Sequence, residues 1–372
     1  MIYLDNGATT FPKPEVVYQA MDTFARTGAV NAGRGAYAAA RAADQMIKNV
    51  RAGLISLMDA REQAQVVLTP SVTIALNQII YGQAWTENSI AYVSPYEHNS
   101  VLRPLHVLSK KIGFQVLELP LAEDLSIDLA KTAAMFEENP PSFVAVTAVS
   151  NVTGYILPHR EIFRLARRYG AFNLLDGSQA VGLIRLPFAQ TMADAICFAG
   201  HKTLYGPFGI AGFLIKNSAK LQVTLAGGTG TKSEDLSMPT SLPGSMEAGS
   251  KDTVAIAGLE AALKWLPSIK PLEHERSMAA HFIEEAGKID GVELYCAPGG
   301  LQNQAGVVSF GVRGFKAIEV AAILDNKYDI AVRAGHHCAA LIHQHLGSNK
   351  YAGTVRVSPG YFNTIEDIEV LL

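Results

Sequence analysis

Six short apolar runs constrain this chain most: Gln65–Thr69, Ser89–Val93, Phe143–Val149, Ala171–Leu175, Ala193–Phe198 and Ile210–Ile215. Most do not alternate between polar and apolar residues. A strand with one face in water must alternate; a strand covered on both faces need not. Helical patterns lie between many of them, at Thr73–Tyr81, Asn99–Ile112 and His159–Tyr169. Strands and helices in turn predict an α/β unit with a mostly parallel sheet. Ahead of the first strand, Pro14-Glu15 opens a helix that Gly28 stops, and a second helix carries Met46, Ile47, Val50, Leu54 and Leu57. From about residue 256 the texture changes. Long helices (Ala255–Trp265, Leu272–Ile289) and isolated strands (Gly306–Phe310, Ile330–Arg333, Thr354–Val357) predict a smaller α+β unit. With 372 residues, the chain is long enough for both.

Composition narrows the function classes. Lys+Arg is 31 against Asp+Glu 34, a net charge of −3, which gives no support to general nucleic-acid binding. The uncharged stretch from Asn139 to Pro158 is broken by Pro140, Pro141, Asn151 and Gly154, so it reads as a strand and loop rather than a membrane span. No basic and apolar leader opens the sequence, so a secretory signal is not expected. Three cysteines (Cys197, Cys296, Cys338) are too few for a disulfide framework, and the expectation is a reducing, cytoplasmic setting.

Five segments carry chemistry. In Phe198-Ala-Gly-His-Lys-Thr-Leu-Tyr-Gly206, Lys202 follows a strand in a Gly-rich loop, where partial desolvation would favour a neutral, nucleophilic amine. Asp176, in Leu174-Leu-Asp-Gly-Ser-Gln-Ala180, ends an apolar strand, where α/β sheets bind ligands. It would either hold a pyridinium nitrogen protonated or cap the next turn. Val72 and Thr73 open a helix whose free N–H groups suit a phosphate, although a hydroxyl there is more often a cap. His98, in Pro95-Tyr-Glu-His-Asn-Ser100, is placed to stack on a ring or to be structural. Cys338, in Val332-Arg-Ala-Gly-His-His-Cys-Ala339, is a nucleophile candidate beside Arg333, His336 and His337. It could also be an inert thiol, or share zinc with His336, His337, His343 and His345.

Together and in this order, these segments resemble the class V aminotransferase superfamily, and within it the cysteine desulfurase and selenocysteine lyase family. Tyr3-Leu-Asp-Asn-Gly-Ala-Thr-Thr10 resembles that family's opening, and Asn31-Ala-Gly-Arg-Gly35 its Arg-Gly loop. Arg333-Ala-Gly-His-His-Cys338 looks like the short cysteine loop of the SUF-type group. The resemblance implies the aspartate aminotransferase-like fold (fold type I of the pyridoxal-phosphate transferases), with a seven-stranded sheet. It implies a large domain over 14–255 and a small one formed by 1–13 plus 256–372. It implies pyridoxal 5'-phosphate bound through Lys202, with Asp176 on the ring nitrogen, Gln179 on the ring oxygen, His98 stacked, and Asn151 near ring and substrate. Val72, Thr73 and His201 would hold the phosphate. Ser250 would reach the phosphate of a partner subunit in a homodimer. Arg356, or else Arg333, would bind the substrate carboxylate. The implied reaction takes sulfur from L-cysteine to a persulfide on Cys338, which a small acceptor protein receives. Selenocysteine lyase, transamination and β-elimination are the implied alternatives, and a catalytically silent scaffold is the alternative from another class. Two features depart from the pattern: Ala199 stands where many members have Ser, and Leu341-Ile-His-Gln-His345 is not the commonest sequence after the cysteine.

Overall fold

The computed structural model describes residues 1–32, 35, 37–230 and 234–372. Gly33 and Arg34 of the Arg-Gly loop lie outside the described residues. The large sheet has seven strands: β1 (Ala64–Thr69), β2 (Ile90–Val93), β3 (Gln115–Glu118), β4 (Phe143–Thr147), β5 (Phe172–Asp176), β6 (Ala195–Ala199) and β7 (Ala211–Lys216). Their order is β1-β7-β6-β5-β4-β2-β3. Strands β6, β5, β4, β2 and β3 run parallel, while β7 is antiparallel to both β6 and β1. Since β1 and β6 both oppose β7, β1 points the same way as the parallel set. The carboxyl ends of β1, β2, β4, β5 and β6 therefore share one edge, the edge where such sheets place ligands.

The absence of alternation now has its reason. Val66, Leu68, Val144, Val146, Leu175 and Ile196 enter one core; Val67, Phe143, Ala145, Leu174, Ala195 and Cys197 enter another. Neighbouring residues on a strand point to opposite faces, and here both faces are packed. Strand β3 was not among the expected runs. Only Val116 and Leu117 are apolar, its end residues are exposed, and it pairs on one side alone, with β2.

The C-terminal part forms a second, antiparallel sheet: β8 (Val292–Tyr295), β9 (Val308–Val312), β10 (Arg333–Gly335) and β11 (Thr354–Val357), in the order β10-β11-β9-β8. Met278, Ala279 and Phe282 of the helix Pro271–Ala286 share its core with Leu4. The chain start joins the same part: Ile2–Tyr3 pairs in parallel with Ile330–Ala331, and Asp5 bridges to Ser358. The expected division at 255/256 falls inside the helix Thr253–Trp265, and that helix contributes Ile256, Ala257 and Leu259 to the core of the large sheet. A separate C-terminal core starts only with the helix at Pro271.

Candidate active site

The carboxyl edge of the large sheet collects the predicted residues. Asp176 ends β5 with 4% exposure. Its carboxylate accepts the Ser178 backbone N–H at 2.9 Å and the Ser178 hydroxyl at 2.5 Å. Lys202 follows β6 after a crossing that only glycine allows: a Cβ on Gly200 would meet the Ile210 carbonyl at 2.5 Å. The Lys202 side chain is partly buried and makes no hydrogen bond or ion pair among the described residues. Burial lowers its amine from 10.5 to about 8; Arg356 and Arg333 act in the same direction, while Asp176 and Cys338 oppose them. At pH near 8 a substantial fraction of such an amine is neutral, as attack on an aldehyde requires.

His98 caps the helix Asn99–Ile112, and its Nδ1 accepts the Ser100 backbone N–H at 3.0 Å. Burial, and then the charge of Lys202, lowers its pKa to about 4. The ring is therefore neutral near pH 7, with its proton on Nε2. The Ser100 hydroxyl lies 3.0 Å from Nδ1 and 3.0 Å from the Thr73 hydroxyl, linking the ring to the next helix start. That helix, Val72–Tyr81, is capped by Ser71; Val72 and Thr73 sit in its first turn, Thr73 exposed. Four N–H groups at a helix start lack intrahelical partners, and an anion there is stabilised.

His201 stacks on Phe208 with centroids 4.4 Å apart. Its Nδ1 is buried without a partner, and burial lowers its pKa to about 3. A buried polar atom with no partner is costly unless a ligand satisfies it. Together with the open helix start and the unpartnered amine of Lys202, this atom makes the residues fit a phosphate-bearing aldehyde cofactor. Gln179 is buried, and one of its amide hydrogens goes to the Gly7 carbonyl at 2.7 Å, leaving the other for a ligand. Ala199 ends β6, fully packed.

The second sheet supplies the rest. Arg356 on β11 is 2% exposed. Its Nη2 pairs with Asp5 at 2.6 Å and its Nη1 donates to the Asn151 carbonyl at 3.1 Å, while Nε is buried and unpartnered. Arg333 stands directly opposite Arg356 in the ladder, so both side chains lie on one face, and Arg333 is exposed with no ion pair among the described residues. Cys338 is exposed, and its carbonyl accepts the Asn99 N–H at 2.6 Å, one residue beyond His98. The Asn151 side chain donates to the His337 carbonyl at 2.7 Å. The cysteine loop is thus tied to the strand ends that carry His98 and Asn151.

Two placements differ from this cluster. Ser250 is exposed and lines a cavity of about 500 Å³ with Asp44, Arg51, Glu247 and Lys251, apart from Lys202 and Asp176. Among the described residues no group of three or more His, Cys, Asp or Glu side chains is placed to hold a metal ion, although the rings of His336 and His337 pack against that of His343. His345 instead faces Glu118 at 3.3 Å on the surface.

Three residues of the site had been given no role from the sequence. Glu97 is wholly buried, accepting the Ser94 hydroxyl and the Thr147 N–H, both at 2.5 Å. Burial raises its carboxyl to about 8. Asp5 orients Arg356. Lys13 donates to the His201 carbonyl at 2.8 Å and the Thr10 hydroxyl at 2.6 Å, and burial lowers its amine to about 7. The one local signal was Glu97, a carboxylate beside His98 just after a strand.

Residues 2–371 match the family described as Aminotransferase class-V. The chain belongs to this family. It is 31% identical, over all of its length and 92% of the relative, to a probable cysteine desulfurase of Methanothermobacter thermautotrophicus. The structure superposes on the apo cysteine desulfurase of Thermococcus onnurineus NA1 with a TM-score of 0.89 at 28% identity, covering 100% of this chain and 92% of that one. A cysteine desulfurase of Escherichia coli, in an S-sulfonic acid form, gives 0.85 at 27% identity, with 99% and 92% covered. The class V aminotransferases use pyridoxal phosphate, and the expected α/β fold with a mostly parallel central sheet is the fold observed. Among the described residues no helix is long and apolar enough to cross a membrane.

Proposed function

We propose that this class V enzyme is a pyridoxal-phosphate-dependent cysteine desulfurase in which Cys338 accepts the sulfur. The observation that carries this reading is the Cys338 loop: an exposed thiol whose carbonyl accepts the Asn99 N–H, beside His98, and whose neighbour His337 is held through its carbonyl by Asn151. Lys202 would hold the cofactor, with Asp176, Gln179, His98 and Asn151 around the ring. Val72, Thr73 and His201 would surround the phosphate. When bound, the protonated ring supplies a sink for the electron pair left at the substrate Cα. Lys202 Nζ, in its neutral form, moves the Cα proton. Arg356 receives the substrate carboxylate through its unpartnered Nε–H, with Arg333 on the same face.

The thiolate of Cys338 then attacks the substrate sulfur. The S–S bond forms as the Cβ–S bond breaks, the pair stays with the three-carbon fragment, and a proton completes alanine. Cysteine and a thiol thus become alanine and a persulfide, with no outside oxidant. An exposed persulfide suits transfer to a small acceptor protein. Ser250, exposed and away from Lys202, suits a homodimer in which it reaches the partner's phosphate. Three free cysteines suit a reducing cytoplasm.

The test is alanine release from L-cysteine by wild type and Cys338→Ala, with a reductant present, alongside intact-protein mass. Wild type should release alanine and gain one sulfur on Cys338, while the variant does neither. Equal activity of the two on cysteine, or activity of both on selenocysteine alone, would move the assignment to selenocysteine lyase or another class V reaction.

A further inference from the structure

The segment Leu341–His345 has no part in the chemistry above, yet it packs under the nucleophile. His337 and Cys338 have φ of 46° and 58°. Two consecutive left-handed residues other than glycine persist only where the surroundings hold them. Their carbonyls are held from the large sheet by Asn151 and Asn99. The neighbouring imidazoles are held from the other direction: His336 Nε2 contacts Asn349 Oδ1 at 3.1 Å, and His337 Nε2 lies 3.1 Å from the Thr354 carbonyl and 2.9 Å from its hydroxyl.

Between these anchors lies His343, which has no exposed surface. Its ring centroid is 5.0 Å from that of His336 and 5.8 Å from that of His337. The Ser348 hydroxyl lies 2.7 Å from His343 Nδ1 and 3.4 Å from the His343 carbonyl, so it fixes the ring against its own backbone. The Thr354 carbonyl only accepts, so His337 carries its proton on Nε2 and a lone pair on Nδ1. His343 Nε2 and His337 Nδ1 are both buried without a partner. Both rings thus sit in a dry pocket, where a charge on either would be uncompensated. Burial lowers both rings, His343 to about 4, and both are neutral near pH 7.

We propose that His343 is a positioning residue for Cys338: its buried ring, fixed by Ser348, is the support on which His336 and His337 hold the left-handed nucleophile loop. The inference rests on the reading of Cys338 as the sulfur acceptor. Without that support, His336 and His337 lose a packing partner, the loop relaxes from its left-handed conformation, and the thiol loses its aim.

The experiment compares holoenzyme of wild type, His343→Leu, His343→Asn and Ser348→Ala. It reads the single-turnover rate of persulfide formation, KM for cysteine, the cofactor's visible absorbance, and the rate of Cys338 alkylation by iodoacetamide. His343→Leu should slow persulfide formation about tenfold, in keeping with what small misplacements of a reacting group cost. It should slow alkylation about threefold, with KM and the absorbance unchanged. His343→Asn, which keeps a partner for Ser348, should recover to within about threefold of wild type, and Ser348→Ala should fall between the two. Wild-type alkylation and persulfide rates in His343→Leu overturn the proposal, as does a loss that Asn does not rescue. If His343→Leu is insoluble, Ser348→Ala decides: slower alkylation supports the role and an unchanged rate overturns it. Alkylation needs no turnover, so a failure of the desulfurase assignment itself, seen as full activity in Cys338→Ala, stays distinguishable.

Discussion

Asp176 ends a strand of β5 whose ladder partners are themselves buried, whereas Cys338 stands exposed on a loop with two left-handed residues in a row. The cofactor side of the site is set by the register of parallel strands. Thr147 pairs with Asp176 and Asp176 with Cys197, so the strand ends keep their spacing through backbone hydrogen bonds. The Cys338 loop hangs from one backbone bond, to the Asn99 N–H, and from side-chain contacts with Asn151, Asn349 and Thr354 that can break one at a time. A rigid floor suits a reaction that needs a fixed proton path. An exposed loop held by few contacts would suit the proposed role of Cys338, which takes sulfur inside and delivers it outside.

Separating the two sides gives the largest expected effect. Lys202→Ala should lower alanine release by about a thousandfold or more and abolish the stable visible absorbance of the cofactor. Cys338 alkylation in the same variant should stay within about twofold of wild type, because the loop's anchors do not include the Lys202 side chain. A large change in alkylation would mean that the two sides are one cooperative unit.

The pH dependence of the floor is a second, intermediate effect. Burial lowers Lys202 to about 8, and only the neutral amine attacks an aldehyde. Capture of pyridoxal phosphate by the cofactor-free protein, followed by absorbance, should therefore speed up as pH rises and level off above about 8. A rise that continues toward 10.5 would show that the amine sits in water rather than in the floor.

The smallest effect is on stability. Burial raises Glu97 from 4.5 to about 8. Its folded-state pKa is above the unfolded value, so its contribution to stability is complete below 4.5 and is lost as pH rises to about 8. Glu97→Gln keeps the acceptor for Ser94 and Thr147 and cannot ionise. Its melting temperature should match wild type near pH 5 and exceed it by about 2–4 °C near pH 8. Equal melting curves at both pH values would place an ionised, fully compensated carboxylate in the floor.

Much of the fold was legible because it is written in short-range pattern. The helix Asn99–Ile112 and the strand Thr354–Val357 lie where their periodicity and turn residues put them. Strand β3 was not legible, since two apolar residues at a sheet edge carry no period. The packing of Thr253–Trp265 was not legible for a related reason: it looks like the long helices after it, and only the tertiary structure shows it against the helices Glu15–Thr27 and Ala38–Leu57.

In the site, the sequence by itself determined the strand-to-loop junctions that carry Asp176, Lys202 and His98, because a buried strand followed by glycine or a helix cap is a local event. Tertiary structure alone decided which charges those groups bear and what holds them. Lys13 reaches the His201 carbonyl across 188 residues, and Asp5 reaches Arg356 across 351. The amine of Lys202, the ring of His98 and the carboxyl of Glu97 are moved chiefly by burial. Desolvation depends on everything that packs around a group, and no window of neighbouring residues contains it.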